Sequence, residues 1–261
     1  GKAATIDQFI ESIVGENKEI DINKYKIWYE QNGTPEVSFK RIWEKEHNRL
    51  TIIINQNNPN FKNKLNNLPL IIPINIRIFS GIDSYKNINY ILKEKQNKIV
   101  FNDIVNNLEI PIVSYFREFS APVKWTTDSS FDEELFLIEN ENDLFTIHDS
   151  IKRIYRTIIQ NKLFDIKTSD LEDKLFSTLR NIFSSPKEFN LIILSELINV
   201  PTFSDLESEI ENIDPLKIYK IIDSLNLKLS KNLKIELTNK LEEIAPKIYK
   251  LWPEGKAERR L

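Results

Sequence analysis

Two periodicities, one after the other along the chain, predict an α+β multidomain protein: an antiparallel, Ig-like β-sandwich followed by an all-α helical array. From Thr34 to about residue 128, apolar and polar residues alternate in short runs separated by turn residues. Beyond Asp128 the apolar residues recur at helical spacing and the polar residues before them read as caps. A chain of 261 residues also exceeds one small core, so at least two domains are expected.

In order, residues 1–33 read as two short helices with no core of their own. Thr5 can cap the first, whose Ile6, Phe9, Ile10 and Ile13 form a stripe, and Asp21 the second, which carries Tyr25, Trp28 and Tyr29 and ends at Asn32-Gly33. Residues 34–128 read as the sandwich. Pro35 to Ile42 and Leu50 to Asn55 form a hairpin around Glu44 to Asn48, and Leu70 to Phe79 sets Ile72, Ile74, Ile76 and Ile78 on one face. Tyr90 to Leu92, Ile99 to Phe101 and Ile110 to Phe116 add strands, with Pro73 and Pro111 expected at edges, starts or bulges because proline cannot donate to a ladder.

Residues 129–252 read as helices near 130–140, 143–161, 169–184, 186–198, 203–211, 215–226 and 230–251. Ser130 with Glu133, Ser169 with Glu172 and Ser204 with Glu207 match the capping box, and Ser185-Pro186 and Asp214-Pro215 place proline in the first turn. Residues 253–261, with Arg259-Arg260, read as a tail.

The chemistry is defined mostly by what is missing. The sequence has no Cys, which excludes disulfides, thiolate zinc sites and a cysteine nucleophile. His47 and His148 stand in different predicted domains without ligand spacing, and the five glycines build no phosphate-binding loop or nucleophile elbow. The acidic runs Asp132-Glu133-Glu134, Glu139 to Asp143 and Glu207 to Glu211 read as solvated faces and first-turn charges. A net charge of −3 offers no nucleic-acid surface, so Lys24 to Tyr29 and Lys247 to Trp252 read as amphipathic faces. No apolar run is long enough to cross a membrane. The chain begins at Gly1 and lacks Met, so a natural start at residue 1 is not expected, and a cytoplasmic location is.

Several patches, in order, resemble the zinc-dependent aminopeptidase N family. Gly1-Lys2-Ala3-Ala4-Thr5 with Phe9 is similar to the end of that family's catalytic domain. Trp28-Tyr29-Glu30-Gln31-Asn32-Gly33-Thr34-Pro35 is similar to the passage into its β-sandwich. Phe116-Arg117-Glu118-Phe119-Ser120-Ala121-Pro122-Val123-Lys124 is the most specific match, Asn142-Asp143-Leu144-Phe145 resembles the next helix start, and Ile193 to Asp214 resembles the early helical domain. After Phe145 the chain departs, with Ile147 and His148 where the family usually has arginine and tryptophan.

The resemblance implies a parent that removes N-terminal residues from peptides with a zinc-activated water. It begins downstream of the family's zinc-ligand helix and catalytic tyrosine, so it implies no catalytic, cofactor or metal residue in this chain and no activity of the chain alone. Zinc, peptide substrates and a catalytic domain of the same polypeptide belong to the parent. The expected role is architectural, with Trp28, Tyr29, Phe119, Pro122 and Phe145 as candidate domain-interface residues. The alternative is a free-standing sandwich-plus-helix interaction module with no enzymatic parent, which predicts that residues 1–33 dock on the sandwich of their own chain.

Overall fold

The computed structural model describes residues 3–14, 22–59, 68–185, 190–206 and 214–244. The chain divides into two units between Ser129 and Ser130.

In the first unit, α1 (Ile6–Val14) and α2 (Ile22–Glu30) precede seven strands found among the described residues: β1 (Glu36–Glu44), β2 (Arg49–Asn57), β3 (Ile72–Phe79), β4 (Tyr85–Leu92), β5 (Gln96–Phe101), β6 (Ile112–Ser114) and β7 (Lys124–Thr126). Thr5 and Gln8 cap α1 reciprocally, each accepting the other's backbone N–H. The Asp21 cap expected for α2 lies outside the described residues. Two sheets form, in the order β5-β2-β1-β7 and β4-β3-β6, so the chain changes sheet after β2, β4, β5 and β6.

The period-two reading places the core correctly. Val37 and Phe39, then Leu50, Ile52 and Ile54, then Ile72, Ile74, Ile76 and Ile78 are all buried. The polar residue at the end of the β2 inner row, Gln56, is fully employed: its side-chain amide donates to the Leu70 and Glu94 carbonyls and accepts the Leu70 N–H. Pro73 sits one residue into β3, ahead of the stretch Arg77 to Phe79 where β6 pairs, and Pro111 immediately precedes β6.

One strand departs from the antiparallel expectation. β7 pairs parallel to β1, matching Glu36, Val37 and Ser38 with Lys124, Trp125 and Thr126. A three-residue strand, whose partner is some 90 positions away, leaves no alternation to read.

The second unit holds α3 (Phe131–Asn140), α4 (Leu144–Leu163), α5 (Ser169–Ser184), α6 (Leu191–Leu197), α7 (Phe203–Leu206), α8 (Pro215–Asn232) and α9 (Lys234–Ile244). Its core is one apolar cluster in which α4 contributes Ile147, Ile151, Ile154, Tyr155, Ile158 and Ile159, all on one helical stripe. The buried Tyr155 hydroxyl donates to the Leu197 carbonyl at 2.8 Å, tying α4 to α6. Among the described residues no helix is long and apolar enough to cross a membrane.

The caps divide into those that form as expected and those that do not. Ser130 and Glu133 make the reciprocal box, and Asp214 caps α8 with Pro215 in the first turn. Ser169 does not cap α5. Thr168 holds that position without a side-chain cap bond, because its hydroxyl donates to Glu172. Around α7, Asp205 rather than Ser204 closes the turn, accepting from the Thr202 N–H and hydroxyl. Glu207 lies outside the described residues, as does Pro186. The described part of the helix expected at 186–198 begins at Leu191, capped by Asn190. The break expected near residues 227–229 falls instead at Leu233: α8 runs through Leu225 and Leu229, both buried on the core face, so packing carries the helix past Ser230.

Candidate contact surface

The candidate interface residues fall in both units. Trp28, Tyr29, Phe119 and Pro122 belong to the first, and Phe145 to the second, half-buried in the first turn of α4.

α2 is not a coreless helix. The indole N–H of half-buried Trp28 donates to the Ile71 carbonyl at 3.0 Å, just before β3. One turn on, Gln31 donates to the Leu68 carbonyl at 2.9 Å, and Asn58 donates to the Asn32 carbonyl at 3.1 Å. The segment is therefore tied to the sandwich of its own chain, the arrangement expected of a free-standing module. Exposed residues remain on its outer side, with Tyr29 54% exposed and Ile6 and Phe9 of α1 half exposed. Trp28→Phe, which keeps a ring but removes the donor, is expected to speed amide exchange over residues 22–31 by roughly fivefold if the bond contributes about 1 kcal/mol. Unchanged exchange there would show that the bond does not hold the helix.

The segment from Phe116 to Pro122 forms a strained corner. Phe116, Glu118 and Phe119 adopt left-handed backbone, with φ of 51°, 61° and 52°. That conformation costs a residue bearing a Cβ about 1–2 kcal/mol. Packing on both sides holds it. Phe116 is fully buried, and its ring lies 5.6 Å from Phe39 and 5.7 Å from Trp125, while Tyr115 stacks on Phe39 at 3.9 Å. Ser120 accepts the Asn75 N–H at 3.1 Å, in the part of β3 that β6 does not reach. The corner leaves Phe119 56% exposed and Pro122 exposed beside it in sequence.

Each of the two patches in the first unit is thus anchored separately. α2 hangs from Ile71 and the Phe119 corner from Asn75, roughly 13 Å apart along the chain leading through β3. The aromatic box of Phe39, Tyr115, Phe116 and Trp125 that sets the corner was not legible in the sequence. Its members come from three separate strands or loops, and no period links them.

The acidic runs are only partly solvated faces. Asp132 pairs with Lys174 and Glu133 serves the α3 cap. Glu134, however, is 4% exposed, with its carboxylate 3.2 Å from the Arg153 guanidinium, which also pairs with Asp149. Burial pushes its pKa up, and the Arg153 charge offsets only part of that rise. Glu141 is buried too, accepting the N–H groups of Asn142 and Asp143. Buried Glu172 meets Lys162, Lys228 and Thr168. Burial alone would raise its pKa, and these three partners together bring it below the usual carboxylate range. Glu134 and Glu172 thus stitch helices together, and Glu141 closes the turn between α3 and α4.

The described residues do not fit a zinc centre. His47 is in a short turn of the first unit, and His148 of the second lies 3.3 Å from Glu196. Among the described residues no group of three or more His, Asp or Glu side chains could hold a metal ion.

Comparison with known proteins agrees with this architecture. The family model described as a domain of unknown function (DUF3458) with an Ig-like fold matches residues 33–128, and that of DUF3458_C, described as ARM repeats, matches residues 131–261, half of the chain. The chain is similar to the aminopeptidase N of Escherichia coli, 25% identical over 91% of this chain and 28% of the relative. It is likewise similar to that of Haemophilus influenzae, 20% identical over 82% and 26%. The crystal structure of Legionella pneumophila aminopeptidase A in complex with aspartic acid shares the fold, with a TM-score of 0.81 at 22% identity over 99% of this chain and 29% of that one. The chain thus spans between a quarter and a third of the length of the relatives it matches. With an Ig-like unit followed by an ARM-repeat helical unit, it belongs to the aminopeptidase N-related DUF3458 family.

Proposed function

We propose that this chain is the non-catalytic part of an aminopeptidase N-type zinc metallopeptidase. In this reading the sandwich carries the helical unit over a catalytic cleft built by another region of the same polypeptide, and so limits access to short peptides. The observation that carries the reading is the pattern of coverage: 91% of this chain is matched, but only 28% of the relative. The resemblance supplies the chemistry of the parent, in which zinc activates a water against the N-terminal peptide bond. This chain's own residues position and exclude. Tyr29 on α2, Phe119 and Pro122 at the corner, and Phe145 on the helical unit would supply the apolar contacts.

The test begins with the endogenous protein. Blotting native extract with an antibody against this chain is expected to show a band far heavier than the chain itself, with zinc-dependent aminopeptidase activity in the same fraction. A single band at the mass of this chain would give the lead to the interaction-module reading, which the tie between Trp28 and Ile71 favours. In the full-length enzyme, Tyr29→Ala with Phe119→Ala is expected to raise the rate on long peptides relative to short ones several-fold. An unchanged ratio would remove these residues from the gating role. A cytoplasmic site of action belongs to the same proposal, and cell fractionation with that antibody tests it.

A further inference from the structure

We infer that the joint between α2 and the sandwich is a site of spontaneous covalent modification: Asn32 and Gly33 cyclise to a succinimide and reopen as isoaspartate. The reaction needs a backbone nitrogen that can reach the preceding side-chain amide carbon, and the Cβ of the following residue is its usual obstacle. Asn32-Gly33 is the sole place in the sequence where glycine follows asparagine, in a chain otherwise rich in asparagine. Both residues are exposed, and they lie between the end of α2 at Glu30 and the start of β1 at Glu36, outside any helix or strand. Gly33 has φ 92°, a conformation that residues bearing a Cβ rarely adopt.

The chemistry balances with water alone. The Gly33 nitrogen bonds to Asn32 Cγ, the Cγ–Nδ2 bond breaks, and Nδ2 leaves as ammonia with the proton from the Gly33 N–H. Water then adds to one of the two imide carbonyls. Opening at the side-chain carbonyl restores the backbone as aspartate, and opening at the backbone carbonyl routes the main chain through the side chain as isoaspartate. The second product inserts a methylene into the backbone and places a new carboxylate at the joint.

The position gives the change a structural consequence. The Asn32 backbone carbonyl that moves is the one accepting from Asn58, and its neighbour Gln31, only 7% exposed, is bonded to Leu68. Displacing Asn32 pulls on the bonds that seat α2, so isoaspartate acts as an ageing mark that releases this helix from the sandwich.

The test ages the folded full chain in mildly alkaline buffer at physiological temperature. It then labels isoaspartate with a protein L-isoaspartyl methyltransferase and a labelled methyl donor, and maps the label by proteolysis and mass spectrometry. Label several-fold higher in the peptide holding residues 32–33 than in any other asparagine-bearing peptide, and lost in Asn32→Gln, is the expected result. Label spread evenly over asparagine peptides, or reaching residues 32–33 only after denaturation, would overturn the inference. Mapping the unaltered chain decides this even if Asn32→Gln misfolds. Faster amide exchange over residues 22–31 in the aged chain is expected, and exchange equal to fresh protein would overturn the release of α2.

Discussion

Replacing Ile151 by alanine is expected to destabilise the helical unit by about 2–5 kcal/mol, because it removes buried apolar volume and leaves a cavity that the surroundings fill only in part. Ile151 is fully buried at the middle of α4, in the one apolar cluster that also holds Ile147, Ile154 and Tyr155 of its own helix and Leu175, Leu179 and Leu194 of other helices. Denaturant unfolding followed by the far-ultraviolet helix signal reads the effect as a lowered midpoint. A loss below about 1 kcal/mol would mean that α4 is not the centre of this core. Ile151→Val, which removes a single methylene, is expected to cost about 0.5–1.5 kcal/mol in the same experiment.

Arg153→Met is expected to destabilise the same unit by about 3 kcal/mol at neutral pH, since it leaves the buried Glu134 carboxylate without its cation. The sign of the pH dependence follows from the raised pKa of Glu134. A carboxyl whose folded pKa lies above its unfolded value binds more protons in the folded state between those two values. Its favourable contribution is therefore complete below the ordinary carboxylate value and is lost as pH rises through the raised one. Arg153 limits that loss in the unaltered protein, and without it the loss is larger. The deficit of Arg153→Met should thus shrink on acidification toward the ordinary carboxylate value. Adding Glu134→Leu to Arg153→Met is expected to recover most of the stability at neutral pH, because an apolar pair of similar volume has no charge to desolvate. Equal midpoints for Arg153→Met and the unaltered chain at neutral pH would show that the Glu134 charge is not confined to this pair.

Both predictions concern residues that the sequence reads in different ways. Ile151 is visible as one position of a helical stripe, and its burial follows from spacing alone. Glu134 reads as one of three acids in a first helical turn, where charge complements the helix dipole. Nothing local separates it from Asp132 and Glu133. What separates it is Arg153, nineteen positions later on a different helix, and only the docking of α3 on α4 brings the two together. Glu172 shows the same limit: the spacing with Ser169 fits a capping box, yet Lys162 and Lys228 take its carboxylate into the interior.

The candidate surface divides likewise. Phe119 and Pro122 are marked by a motif, and Trp28 and Tyr29 by aromatic residues on a short helix. The motif does not disclose that Phe119 stands on left-handed backbone, because the corner is held on either side of it, by Phe116 packed against Phe39 and Trp125 and by Ser120 bonded to Asn75. Nor does helical spacing show that Trp28 bonds to Ile71, since a hydrogen bond across 43 positions leaves no period to read.

By itself, then, the sequence determined the order of a sandwich and a helical unit, the inner faces of β1 to β3, the stripe of α4, and the caps at Ser130 and Asp214. Each of these rests on interactions within a few residues or on side chains alternating along one element, so a local pattern carries it. Tertiary structure alone decided the parallel seat of β7, the end of α8 at Leu233, the burial of Glu134, Glu141 and Glu172, and the attachment of α2 to Ile71 and of the Phe119 corner to Asn75. These depend on which distant groups meet once the apolar faces are buried, and that meeting has no counterpart in local spacing.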